Sequence, residues 1–225
     1  MTDLGGHANG DRRSALTRRA LEGYPSGPAA PLRATARALG KVPGASTVVL
    51  VEGVSDQIAL ETAAAGLGLS LDAHRVVVVP MGGAHAVARV LATIRGLNPD
   101  VRLAGLCDVR EQEVVRRALV DAAVVPSVPV TGLEEHGFFA CVEDLEDELV
   151  RAVGVERVLS VLDAQGDLGS FRSLQAQPAW RGATPEAQLH RFLASGARRK
   201  LRYARVLVEA AGALPRPLGA LLGSL

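Results

Sequence analysis

Aromatic side chains are scarce in this chain, with one Trp, two Tyr and four Phe among 225 residues. So few rings argue against a base-stacking platform of the kind used by single-strand and RNA-recognition modules, and favour contacts to a nucleic-acid backbone if nucleic acid is bound at all. Cysteine is rarer still. Cys107 and Cys141 both follow apolar residues in expected strands, with no CxxC neighbour and no His at ligand spacing, so they read as buried thiols and argue against zinc. An excess of either charge is missing too. With 25 Lys and Arg against 24 Asp and Glu, there is no broad polycationic arm, and any nucleic-acid contact must come from a local patch. No apolar run reaches membrane-spanning length, and the polar start Met1 to His7 lacks the apolar core of a signal peptide, so the expected setting is a reducing cytoplasm without membrane contact. The chain has no Gly-x-x-x-x-Gly-Lys-Ser/Thr loop, hence no expected nucleotide site of that type. It has no Gly-x-Ser-x-Gly elbow, and His7, His74, His85, His136 and His190 form neither a triad nor a ligand spacing, which argues against a serine nucleophile.

What is present is a chain with 48% hydrophobic residues, long enough for one substantial core and an appendage. A basic helix from Asp11 to Glu22 is broken at Tyr24-Pro25-Ser26-Gly27-Pro28, and a second helix runs from Leu32 to Leu39. Strands and helices then alternate: strand 46–51, helix 55–67, strand 75–79, helix 84–95, strand 101–107, helix 110–119. That order implies a parallel sheet. Val128-Pro129-Val130 reads as a short extended piece, Phe138 to Val142 as a further strand, and Leu145 to Val153 as a helix with an acidic first turn. Beyond Gly154 only helices are expected, at 156–164, 185–193, 198–210 and 218–222, with a polar Gln-rich link around Gln175 and Gln177. The reading is therefore α/β: a Rossmann-like parallel sheet of about four strands flanked by helices, with a C-terminal helical extension. Its expected divisions are an N-terminal helical appendage at 1–44, the α/β domain at 45–153, and a helical cap at 154–225.

The stretch with most chemical content is Thr47 to Asp56. An apolar run buried on both faces ends on Glu52, Gly53 turns the chain, and Ser55-Asp56 opens a helix. Ligands of open α/β sheets collect beyond the carboxyl ends of the strands, where Glu52 would sit. Asp56 and Ser55 equally suit a first-turn acid and an N-cap, and the pair alone does not decide between the two uses. Asp108 ends the third strand, and Asp144, Glu146 and Glu148 open the helix after the fourth. Acids converging from several strand ends are what a pair of divalent cations needs for in-line phosphoryl displacement, and hard oxygen ligands select Mg²⁺ or Mn²⁺. Gly82-Gly83 after the second strand would let backbone N–H groups approach a phosphate, or simply make a tight turn. The cluster Arg198-Arg199-Lys200-Leu201-Arg202 lies at a helix start, where its charge opposes the macrodipole unless an anion compensates.

The order Val51-Glu52-Gly53-Val54-Ser55-Asp56, then Val76 to Gly83, then Leu103 to Asp108, resembles a TOPRIM domain, and most closely the TOPRIM half of OLD-family nucleases. The resemblance covers roughly Ser46 to Ala152, with an echo around Lys200. It implies metal-dependent cleavage of nucleic-acid phosphodiesters, DNA ahead of RNA, with Mg²⁺ or Mn²⁺ as two ions held by Glu52, Asp56, Asp108 and the Asp144, Glu146, Glu148 group. It implies a catalytic role for Glu52, Asp108 and Lys200, the lysine neutralising charge on the scissile phosphate, with Gly82, Gly83, Arg198, Arg199 and Arg202 as phosphate contacts. The ATPase half of OLD proteins has no counterpart in these residues, so a separate partner would supply ATP hydrolysis. One departure stands out. Many TOPRIM proteins carry Asp-x-Asp on the third strand, where this chain reads Asp108-Val109-Arg110, and this leaves open a module of the same fold that binds nucleic acid or a protein with a degenerate metal site. A generic Rossmann-like nucleotide binder would need a glycine-rich loop after the first strand, and Glu52-Gly53 offers one glycine.

Overall fold

The computed structural model describes residues 4–225, with side chains described from Arg12 onward; the side chain of His7 lies outside them. β1 (Thr47–Val51) is β-branched at all positions but Leu50 and buried along its whole length. It is a central strand. β2 (Val76–Pro80) and β3 (Arg102–Asp108) pair with it on either side, and β4 (Phe138–Cys141) pairs with β3, in the order β2-β1-β3-β4. All three pairings are parallel, in register at Thr47 with Val76, Thr47 with Arg102, and Asp108 with Cys141. Every carboxyl end therefore lies along one edge of the sheet. This is the α/β class expected, a four-strand parallel sheet flanked by helices.

Contacts gather the chain into two compact units, each made of two separate stretches. The sheet unit, 24–145 with 214–225, contains α2 (Ala30–Leu39), α3 (Val54–Gly66), α4 (Val87–Leu97), α5 (Gln112–Asp121) and a last helix, Arg216–Gly223, that packs on β3, β4 and α3. Its core joins Val48, Leu50, Val79, Leu91, Ile94, Leu103 and Leu119. The helical unit, 1–23 with 146–213, contains α1 (Leu4–Ala20), α6 (Leu145–Val153) from its second residue on, α7 (Val155–Ala164), α8 (Leu168–Gln175), α9 (Pro185–Ala194) and α10 (Ala197–Ala210). The Arg216–Gly223 helix is α11. This grouping cuts the chain elsewhere than the expected boundaries at 44 and 153, because α2 and α11 pack with strands and α1 packs with α10.

Two elements differ from the expectation. Of Val128-Pro129-Val130, Pro129 is extended at φ −65°, ψ 161°, but the piece forms no strand and Val130 already opens a 3-10 helix, Val130–His136, closed by Gly137 in the left-handed conformation at φ 83°. α8 was expected to be part of a polar link. Its sequence has few apolar residues, but Phe171 and Leu174, three apart, fall on one face and are buried. No helix among the described residues is long and apolar enough to cross a membrane.

Candidate metal centre

β1 and β3 are adjacent and parallel, so the residue after β1 and the last residue of β3 emerge side by side. Those residues are Glu52 and Asp108. Their carboxylates and that of Glu111 offer oxygens within 4.8 Å of one another. Glu111 comes from the 3-10 turn Val109–Glu111, which reverses the chain straight after β3 and brings a side chain three residues on back toward the strand end. Its Oε2 is buried and has no hydrogen-bond partner. A carboxylate oxygen in that position wants a cation.

The electrostatics agree. Burial, and then the charges of Glu52, Asp56, Asp144 and Glu111, push the Asp108 carboxyl up to about 8. Burial and Glu52 also raise Glu111, against a lowering by the nearby His85. Asp56 and Asp144 thus lie close enough for their charge to be felt at Asp108. Cys107, one residue back on β3, is pushed up to about 12 by burial and by the same acids, so its thiol is unreactive.

The backbone of Glu52 is held from the neighbouring strand. The Met81 N–H donates to the Val51 carbonyl at 2.9 Å, and the N–H groups of Gly82 and Gly83 donate to the Glu52 carbonyl at 2.9 and 3.1 Å. Gly82 at φ 82° and Gly83 at φ 111° make the tight turn that this requires. The expected phosphate nest is corrected here, since both N–H groups are already bonded to the protein. Asp56 likewise has a structural task. Its Oδ2 accepts from the Gly53 N–H at 2.8 Å and ties down the start of α3.

Arg110, which stands where the family pattern has a second acid, forms an ion pair with Glu143. Both are exposed. Val109 and Val142, the residues following the paired ends of β3 and β4, are exposed apolar groups at the same edge. Glu111 was missed at the sequence level because the Asp-x-Asp spacing was sought. The Asp-x-x-Glu spacing of residues 108–111 was the signal that could have found it.

The remaining expected site residues belong to the helical unit. Glu146 is buried, and its Oε2 lies 3.1 Å from Lys200 Nζ, so these two are brought together. Glu148 and Asp147 both pair with Arg151, at 2.8 Å each. Arg202 is turned into the protein. It is 2% exposed and pairs with Asp167, itself 1% exposed, with the Tyr203 hydroxyl donating to the same carboxylate at 3.0 Å and Arg13 approaching at 3.2 Å. Positions 199, 202 and 203 lie three and four apart, on the inward face of α10. Arg199 stacks on the Phe192 ring at 3.9 Å and donates to the Phe192 carbonyl and the Ser195 hydroxyl. Arg198 is the exposed member of the cluster.

Residues 45–108 match the family model described as Overcoming lysogenization defect protein-like, TOPRIM domain. Over this stretch the chain is similar to an OLD-like TOPRIM domain. The C-terminal region of the Xanthomonas campestris pv. campestris OLD protein superposes with a TM-score of 0.56 at 22% identity, over 80% of this chain and 93% of that one. The C-terminal region of the Burkholderia pseudomallei OLD protein does so with a TM-score of 0.56 at 17% identity, over 80% and 96%. At these identities the likeness is one of fold. No curated protein matches the chain. Glu52 and Asp108 fall inside the matched OLD-like segment, and Glu111 lies three residues beyond it.

Proposed function

We propose that this OLD-like TOPRIM chain cleaves nucleic-acid phosphodiesters with a divalent cation, Mg²⁺ or Mn²⁺, held at the carboxyl edge of the sheet. The observation that carries the reading is the convergence of Glu52, Asp108 and Glu111, with one buried Glu111 oxygen lacking any hydrogen-bond partner. Three carboxylates are a hard donor set and fit either ion. A cation there would supply charge neutralisation and a more acidic water. Glu52 and Asp108 would hold it from adjacent strands, and Glu111 would close the site from the 3-10 turn. Asp56 and Asp144, whose charges reach Asp108, support a second ion nearby.

The resemblance would give Lys200 the task of neutralising charge on the phosphate, and within the helical unit its ammonium lies 3.1 Å from Glu146. Glu148 and Arg199 fit structural duties, given their partners within the helical unit. The rival reading, a degenerate binding module, rested on Arg110. With Arg110 paired to Glu143 and Glu111 supplying a third carboxylate, the active reading is the better supported. Any ATP hydrolysis would be supplied from outside these 225 residues.

The test is incubation of purified protein with supercoiled plasmid, linear duplex, single-stranded DNA and RNA in Mg²⁺, Mn²⁺ or EDTA. Cleavage that needs the metal and is lost in Glu52→Gln and Asp108→Asn supports the proposal. Wild-type protein that binds Mn²⁺ yet cleaves none of these would return it to a binding module.

A further inference from the structure

The distribution of charge within the helical unit is uneven. Residues 168–208 contain eight Lys and Arg residues and a single acid, Glu186. Some of these cations are neutralised: Arg202 by Asp167 and Lys200 by Glu146. Arg172 and Arg181 bond only to neutral oxygens, those of Gln175 and of the Ala176 carbonyl. Arg191 and Arg198 are exposed and form no ion pair among the described residues. This stretch thus carries more positive charge than its own acids balance, although Arg199 lies 3.9 Å from buried Asp167, and a local surplus of cations is what a polyanion site needs.

An open cleft of about 270 Å³ lies in this stretch, between α8, α9 and the start of α10. Trp180, the sole tryptophan of the chain, lines it together with Arg191, Arg199, Ser173 and Ser195. Partly exposed indole is an unusual expenditure in so aromatic-poor a chain, and its backbone is fixed. Buried Gln188 donates to the Trp180 carbonyl at 2.7 Å and accepts from Gln175 at 2.6 Å, and the Trp180 N–H donates to the Gln177 carbonyl at 2.9 Å. The Gln-rich link of the sequence is therefore the brace behind the tryptophan. The Arg199 guanidinium, which also lines the cleft, is held by Phe192, the Ser195 hydroxyl and, at 3.9 Å, Asp167, so the cationic part is pre-formed as well.

We infer that this cleft is a seat for one nucleotide of a single-stranded nucleic acid, with the base stacked on Trp180 and the phosphate held by Arg191 and Arg199. The inference rests on the nucleic-acid reading above and adds to it a strand-holding site in the helical unit. The scarcity of rings argues against a platform of several stacked bases, but one aromatic face beside cations grips a single nucleotide without regard to sequence. At its volume the cleft is too small for a duplex and lies just under the usual range of ligand pockets, which suits a single mononucleotide unit.

The test uses the full chain in EDTA, so that no cleavage intervenes, and the intrinsic fluorescence of Trp180. Oligo-dT and oligo-rU are the probes, with an abasic oligomer, a blunt duplex and inorganic phosphate as controls. Saturable quenching by the two base-bearing strands, weaker for the duplex and absent for the abasic strand and phosphate, supports the proposal; the dT and rU arms separate DNA from RNA. With labelled oligo-dT, Trp180→Ala should weaken binding on the order of tenfold while Trp180→Phe retains most of it. Arg191→Gln should lower the slope of log affinity against log salt by about 0.7. Equal quenching by phosphate alone, or unchanged affinity in Trp180→Ala, overturns it. Glu52→Gln separates the two readings. A protein that loses cleavage but still shows quenching leaves the cleft standing, and one that cleaves without quenching removes the cleft alone.

Discussion

The N–H of Gly82 donates to the carbonyl of Glu52 at 2.9 Å, so the turn that ends β2 holds the residue that ends β1. The glycine pair and the candidate metal ligand are thus one structural device on two strands. Gly83, with φ 111° and ψ 149°, occupies backbone space that only glycine enters cheaply, and a Cβ at either glycine would meet nothing within 4 Å. The cost of substitution is therefore backbone strain.

Gly83→Ala should lower stability by about 1–3 kcal/mol and weaken Mn²⁺ binding through displacement of Glu52. Urea unfolding and calorimetric titration read the two effects. Full metal affinity in a destabilised Gly83→Ala protein would show that Glu52 is positioned by other means.

The acid cluster should make stability depend on pH when no cation is present. Asp108 is raised from 3.8 to about 8, so between those values the folded state keeps a proton that the unfolded state has released. The contribution of Asp108 to stability in EDTA should be full below about pH 4, fall as pH rises through that window, and level off above about 8. Asp108→Asn should flatten the profile, and Mn²⁺ should recover the loss at the alkaline end. Thermal unfolding at a series of pH values checks both, and a wild-type profile as flat as that of the variant would contradict the cluster.

Arg202 is the most buried of the cations around Asp167, so removing it leaves that buried carboxylate with only Arg13, the more distant Arg199 and the Tyr203 hydroxyl. Arg202→Met should cost about 1–3 kcal/mol in urea unfolding, the loss expected when a buried acceptor keeps only some of its partners. Its nucleic-acid affinity, measured where the variant is still folded, should be near wild type. A stable Arg202→Met protein with weakened affinity would restore Arg202 as a phosphate contact.

Lys200→Ala should slow single-turnover cleavage by about a hundredfold or more with little change in affinity, if the lysine acts on the transition state. Glu146→Gln, which keeps the shape of the partner but removes its charge, should have a smaller effect on rate. A full rate in Lys200→Ala would reduce the 3.1 Å pair to a structural ion pair.

The parallel sheet was legible in sequence because its strands are continuous apolar runs, and such runs can be buried only between layers of helices. Glu52 and Asp108 were legible for the same reason: each follows directly on a run of that kind, and adjacent parallel strands must deliver their ends to one edge. A helix at 198–210 with cations at its start was legible too, although not which of those cations would lie on its inner face. Tertiary structure alone decided that. Asp167, thirty-five residues before Arg202, meets it only when α10 packs against its neighbours, and a contact of that separation leaves no local pattern. Glu111 joined the acid cluster through the 3-10 turn after β3, a reversal set by how the chain leaves the sheet and not by any repeat in sequence. Trp180 became part of a cleft because buried Gln188 fixes its loop, and the partner of a buried amide is chosen by packing. Burial patterns are written residue by residue along the chain, whereas the pairing of charges and the shape of a cleft depend on which distant segments come to share a surface.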